Sequence, residues 1–341
     1  MPPRASATIR ATALVALAVL ASVATCLAQS FPTRPIRLIV PYAAGGGTDA
    51  MARFLARAME PRLGVPVVIE NKAGSGTMLG AAYVAKSASD GYTLLMATSS
   101  TLAIAPNLSK SMLYDPAADF TPLTMIAAVP FVLLVHPSLG VDTVAKFTAL
   151  ARARQADARL GTLSYATGGI GSAHHIFMEL FKSTTGVDLK HVPYRGGGPA
   201  QIDVIAGHVP VMFGDVGPAR DLIRTGQLKG LAVTTLQRVD ILAEVPTLDE
   251  VGVSGYEANS WQCIVGPPGL PAPIVTELNS VLVDVMAAAD TRRHFIGIGA
   301  QPGSSTPAAA GAFIKSELAR WAKVIERIGV NQDLVTGRQT E

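Results

Sequence analysis

The chain has 341 residues, two cysteines and a formal charge of +3, from 28 basic and 25 acidic side chains. Arg4 and Arg10 stand in the first ten residues with no acid beside them, so beyond that point 28 − 2 = 26 basic residues face 25 acidic ones. A net charge of +1 leaves no basic stripe able to displace phosphate counterions, which excludes nucleic acid as a partner.

Residues 11–24 (ATALVALAVLASVA) are apolar or small throughout. Behind a basic start, this reads as a secretory signal peptide over 1–28, too short to span a bilayer. The small-x-small rule puts cleavage after Ala28 and so predicts a periplasmic protein. A lipoprotein acylated at Cys26 is the weaker alternative, because Val23-Ala24-Thr25 makes a poor lipobox. Cys263 then stands alone, with no intramolecular disulfide and no zinc site, and is expected as a buried thiol in a strand.

The first element beyond the leader is a strand, Ile36–Val40. It opens through Tyr42, Ala43, Ala44 and the glycines 45–47 into a helix that begins near Thr48-Asp49 and ends at Leu63. Free backbone N–H groups and the positive end of a helix dipole then meet at one point, which makes an anion site. Val67–Glu70 follows, then Gly74-Ser75-Gly76-Thr77-Met78-Leu79-Gly80 before a helix over Leu79–Ser87. That loop resembles a dinucleotide fingerprint only superficially. It has one residue too many before the last glycine, and no acid-ended second strand follows.

Strands are predicted next at Tyr92–Met96 and Phe131–Val135, a helix over Val144–Arg154, and a strand at Ser164–Ala166. A helix over His174–Thr184, a strand at His191–Pro193 and a helix over Pro199–Ala206 follow. Strands at Val211–Phe213, Leu228–Val233 and Cys263–Val265 complete the set, with a helix over Ala219–Thr225 among them. The C-terminal third is helical, Pro271–Ala289 and Pro307–Ile328, and residues 331–341 are expected to be loosely held. Such alternation gives an α/β fold with parallel sheets covered on both faces, whose ligands bind at the carboxyl ends of the strands. Four of those ends share a small-residue character: 44–48, 98–101, 167–172 and 195–198. Together they suggest one cleft walled by amides and hydroxyls.

Ordered segments across the chain carry a further resemblance. They include PTRPIRLIVPYAAGGGTDAMAR (32–53), GVPVVIENKAG (64–74), SDGYTLLMATSSTLAIAPNL (89–108), LSYATGGIGSAHHIFMELF (163–181), HVPYRGGGPAQID (191–203), VPTLDEVGVSGYE (245–257) and WQCIVGPPGLPAPIV (261–275). With these the chain resembles the Bug family of periplasmic receptors, the substrate-binding proteins of tripartite tricarboxylate transport. The resemblance implies a two-lobed periplasmic-binding fold of type II, with two inter-lobe crossovers and a ligand cleft. Placing the crossovers near Pro130-Phe131 and Asn259–Trp261 gives one lobe of 29–130 plus 259–341 and another of 131–258. It also implies capture of a small carboxylate (a di- or tricarboxylate, an acidic amino acid or an aromatic acid) by a monomer without cofactor, metal or catalysis. Delivery would be to inner-membrane permease subunits, or alternatively to a signalling partner.

For the site, the first-lobe turn supplies Tyr42, Ala44, Gly47, Thr48 and Asp49, with Asp49 equally suited to a helix N-terminal position. Thr167, Gly169, Gly171 and Ser172 form the opposing pincer. Ser99, Ser100 and Thr101 are side-wall donors, Tyr194 is a lid, and Asp215 orients waters or holds an amino group. Arg195 is the natural bidentate partner for a second carboxylate. In the family pattern a histidine precedes the Glu179-Leu180-Phe181 run; here that is His175, and His174 is extra. The sequence departs from the family at Ala105, where asparagine is common, and at Gly168. A secreted hydrolase using Ser172 is the remaining alternative, although Gly169-Ile170-Gly171-Ser172-Ala173 lacks the closing glycine of a nucleophile elbow.

Overall fold

The computed structural model describes residues 31–329, apart from Lys110 and Ala158. The signal peptide expected over 1–28, with Cys26 and the expected cleavage after Ala28, and the chain end 331–341 lie outside the described residues.

The chain begins as an alternating β/α series. β1 (Ile36–Val40) leads into α1 (Gly47–Leu63), and β2 (Val67–Asn71) into α2 (Met78–Ala85). β3 (Thr93–Thr98) runs into a π-helical turn, Ser100–Ile104, and the short α3 (Ala105–Leu108). β1 pairs in parallel with both β2 and β3. Pro61 is tolerated near the end of α1, and Gly64 closes that helix at φ 69°, where its amide bonds back to Glu60.

β4 then runs for 15 residues, Thr121–Val135, and belongs to two sheets. Its first half pairs antiparallel with β9 (Asn259–Gly266), from Thr121 opposite Gly266 to Pro130 opposite Asn259. From Phe131 onward it pairs with β7 (Val211–Asp215) and β8 (Lys229–Val233). Only Phe131–Val135 is evident as a strand in the sequence. Pro122 and Pro130 mask the preceding residues; the register shifts after Pro122 and again after Met125.

The second sheet is completed by β5 (Ser164–Thr167) and β6 (Lys190–Pro193), in the overall order β2-β1-β3-β9-β4-β7-β5-β6. α4 (Val144–Ala156), α5 (Ala173–Thr185), α6 (Gly197–Ile205) and α7 (Val216–Arg224) cover it. The chain returns along β9 into α8 (Ala272–Ala287), α9 (Ala289–Gly297), β10 (Gln301–Pro302) and α10 (Pro307–Ile328). The sheet is therefore mixed, not parallel throughout. The antiparallel pairs all involve β4 or β9, the strands that carry the chain across and back. A two-lobed fold with a pair of crossing strands results.

A continuous core links the two halves through aromatic packing. Phe177 on α5 packs on Phe131 at 5.0 Å and stacks on Trp321 of α10 at 5.6 Å. The nearly buried Glu317 accepts from the indole N–H groups of Trp261 (3.0 Å) and Trp321 (3.1 Å) and from Arg320. Cys263 is a fully buried free thiol in β9.

Candidate functional site

A cavity of about 260 Å³ lies between the halves, at the strand ends. Two helices from opposite halves point their first turns into it. α1 begins at Gly47 and α6 at Gly197, and neither has a side-chain cap. Each therefore offers backbone amides to whatever occupies the cavity. α4 and α10 are capped by Thr143 and Thr306, whereas α2, α8 and α9 also lack a side-chain cap, so what sets α1 and α6 apart is that both open onto the same cavity.

The α1 turn is held rigid from behind. Asp49, 3% exposed, accepts from the Gly45 amide (3.0 Å), the Arg53 guanidinium (2.9 Å) and Asn71 (2.9 Å). Burial works to raise its pKa, but these hydrogen bonds outweigh burial and hold it below the ordinary value. Asn71 also donates to the Tyr42 carbonyl at 3.0 Å. The Tyr42 hydroxyl continues into a chain with Thr98 (3.0 Å) and Thr101 (3.1 Å), and burial raises its pKa.

The 167–172 loop is internally satisfied. The Ser172 hydroxyl donates to Gly169 O at 2.7 Å and accepts from the His175 amide as the N-cap of α5. The Gly171 amide donates to His175 Nδ1, and Ala173 N donates to Ser100 Oγ at 3.1 Å. Thr167 Oγ1 bonds to His191 Nε2 at 2.6 Å. His191 stacks on His175 at 4.2 Å between ring centres. Burial pushes the pKa of His175 down to about 4 and of His191 to about 3, so both imidazoles are neutral.

Of the residues singled out in sequence, the cavity brings together Tyr42, Ala44, Gly47, Thr48, Ser100, Ser172, Arg195 and Asp215. Gly169 and Tyr194 line an adjoining cavity with the 74–77 loop, and the Tyr194 hydroxyl bonds to Asp203. Asp49, Ser99, Thr101, Thr167, Gly171 and His175 lie outside both linings. Ser99 bonds to Ser260 Oγ at 3.1 Å. The cavity also takes in the Gly196–Gly198 turn, which the sequence placed in the cleft without naming its residues as contacts, and four residues not assigned to the site, Phe131, Gly168, His174 and Gln262. Gly196–Gly198 carried a signal, a glycine run before a helix, and His174 was noticed only as extra. Gln262, on a strand, carried none. No cluster of three or more candidate metal ligands occurs among the described residues.

Residues 51–330 match the model of the tripartite tricarboxylate transporter family receptors. The chain belongs to that family. It is 37% identical over 303 residues to protein BugT of Bordetella pertussis, covering 89% of this chain and 91% of that one. Among solved structures it is similar to an R. palustris protein with adipate (37% identity, TM-score 0.83, 88% of this chain and 98% of that one). MatC of Rhodopseudomonas palustris with bound malate is similar too (30% identity, TM-score 0.81, 86% and 100%). So is the periplasmic binding protein BugD (33% identity, TM-score 0.83, 88% and 99%). The fold is accordingly that of the periplasmic solute-binding proteins, and the cavity sits in the cleft of a receptor.

Proposed function

We propose that this receptor is exported to the periplasm, closes its halves on a small carboxylate and delivers it to a tripartite-type permease. The observation that carries the reading is the convergence of two uncapped helix N-termini, α1 and α6, on one cavity from opposite halves. Each charge-assisted hydrogen bond contributes about 1.5–3 kcal/mol, and a helix N-terminus about 0.3–2. Micromolar affinity needs about −8 kcal/mol beyond the cost of association, which one turn cannot supply but two can. The adipate and malate in related structures are carboxylates of a size suited to this volume.

Closure is proposed to turn about β4 at Pro130-Phe131 and about β9 near Asn259, with 131–258 moving against the remainder. The arrangement around Ser172 favours a receptor over a hydrolase. Its hydroxyl hydrogen is committed to the Gly169 carbonyl, not to a histidine base. The test is a thermal-shift screen of residues 29–341 against succinate, malate, citrate, aspartate, glutamate, nicotinate, benzoate and terephthalate, with their amides as controls. A ligand at 100 times its Kd stabilises the fold by about 2.7 kcal/mol, a shift of several degrees. A shift with an acid and not its amide supports the reading; none with any acid, on refolded protein, refutes it.

A further inference from the structure

Asp215 sits at the N-cap of α7, yet its side chain caps nothing there. It is half-buried, and its carboxylate is turned into the cavity between the halves. Oδ2 lies 3.3 Å from where a Cβ on Gly47 would stand and 4.0 Å from the corresponding point on Gly197. It therefore stands beside the first turns of both α1 and α6, whose amides are proposed to seat the ligand's carboxylate.

This wall is short of hydrogens. Among the described residues no N–H or O–H donates to the Asp215 carboxylate. The side-chain oxygen of Gln262, a residue 3% exposed on the same wall, has no donor either. Nor does a cation hold the charge. His174 on α5 faces the same point, with Nε2 3.0 Å from the Gly197 Cβ position and without a partner, but burial drives it toward its neutral form. Arg195 lines the cavity yet is exposed and forms no ion pair among the described residues. On α7 itself, Arg220 is turned to Asp221 and to the Gly297 carbonyl. On α1, Asp49 is held behind the turn by Arg53 and Asn71, and Tyr42 is a neutral phenol. Burial already raises the pKa of Asp215, with His174 opposing.

An anion seated on those amides puts a second carboxylate next to Asp215. Two carboxylates in one site do not both stay ionised without cost, and the favoured outcome is one proton held between them. A protonated carboxyl carries an O–H, so the wall also gains the donor it lacks, and repulsion becomes a hydrogen bond. We propose that Asp215 takes up a proton from solvent as the ligand's carboxylate seats on the α1 and α6 amides, so that the receptor captures anion and proton together. This rests on the carboxylate-receptor reading and adds to it the protonation state of the loaded site. By linkage, affinity falls as pH rises, by up to about tenfold per pH unit where one proton is taken up.

The test is calorimetry with adipate, malate and succinate, in phosphate and in Tris at matched pH. The range is about pH 6.5 to 8.5, above that in which the acids themselves titrate. The difference in heat between the two buffers reads the protons taken up per molecule bound. The wild type is expected to take up a fraction of a proton that grows toward one at the lower pH, with affinity weakening toward the upper end of the range. Asp215→Asn puts an amide where the neutral acid would stand, and is expected to show no uptake and an affinity that no longer changes with pH. His174→Gln is expected to keep the uptake. Wild-type binding with no uptake at any pH overturns the proposal and leaves a carboxylate receptor standing. Uptake that survives in a folded Asp215→Asn variant removes Asp215 as the proton's holder and overturns it too. If that variant does not fold, His174→Gln decides: uptake kept supports Asp215, and uptake lost assigns the proton to the histidine. Failure of these acids and of the wider panel to bind defeats the underlying carboxylate reading.

Discussion

Gly217→Ala separates closure from folding. Gly217 stands in the first turn of α7, on the second half of the molecule, and abuts the end of α9 on the first. A Cβ added there would lie 2.0 Å from Ile298 O and 2.7 Å from Ile298 C, both backbone atoms. Tolerable contacts begin near 3.0 Å, so the two surfaces must part by at least 3.0 − 2.0 = 1.0 Å. Overpacking of this kind costs about 1–3 kcal/mol. If the halves open, that cost falls on the closed state alone, and ligand affinity should drop between about 5- and 150-fold. The helix itself should tolerate the change, since Gly217 lies in its first turn at a φ that is not left-handed. Calorimetry with the best ligand of the screen measures the affinity, and a melt without ligand measures the fold. Gly297→Ala is the control: it lies near the same interface with nothing within 4 Å of its added Cβ, and affinity should stay at the wild-type value. Affinity within twofold of wild type in Gly217→Ala would refute the argument. A loss of melting temperature as large as the loss of binding would also sink it, since the contact would then belong to the fold and not to closure.

Other expectations follow from the same structure. Ser172→Ala removes the N-cap of α5 and should cost about 1 kcal/mol, seen as a few degrees in Tm; an unchanged Tm would mean the cap contributes nothing. Glu317→Leu strands two buried indole N–H groups and should cost roughly 2–5 kcal/mol in urea unfolding, whereas Glu317→Gln keeps an acceptor and should lose much less. Equal losses in the two variants would disprove the role given to Glu317. The neutral His175 and His191 have folded pKa values of about 4 and about 3, depressed below their unfolded value. Their contribution is present above about pH 6.5 and is lost as pH falls toward those values, by up to about 1.4 kcal/mol per pH unit for each. Stability measured from pH 7 to pH 4 should fall accordingly, and His191→Gln should flatten the slope; an unaltered slope would count against it.

The uncapped start of α1, where we propose the ligand carboxylate binds, was legible in the sequence, because a strand, a glycine run and a helix leave little freedom in where the amides point. The opposing wall was not, and the reason is physical. The turns at 167–172 and at 195–198 look alike as sequence, small residues before a helix, but only one of them meets its own needs. Ser172 caps α5, and His175, Thr167 and Ser100 take up what remains around that loop. Gly196 offers α6 no side chain, so its amides stay available. Asp215 extends the same point, since a residue type that normally caps its own helix leaves α7 uncapped and faces the cavity. Gln262 was illegible for a different reason. It sits on β9, whose central place in the sheet appears only once the hidden half of β4 is known. Glycine and serine content therefore finds the loops of such a cleft. Which of those loops binds depends on which helix starts remain unsatisfied, and that requires every local hydrogen bond to be placed first.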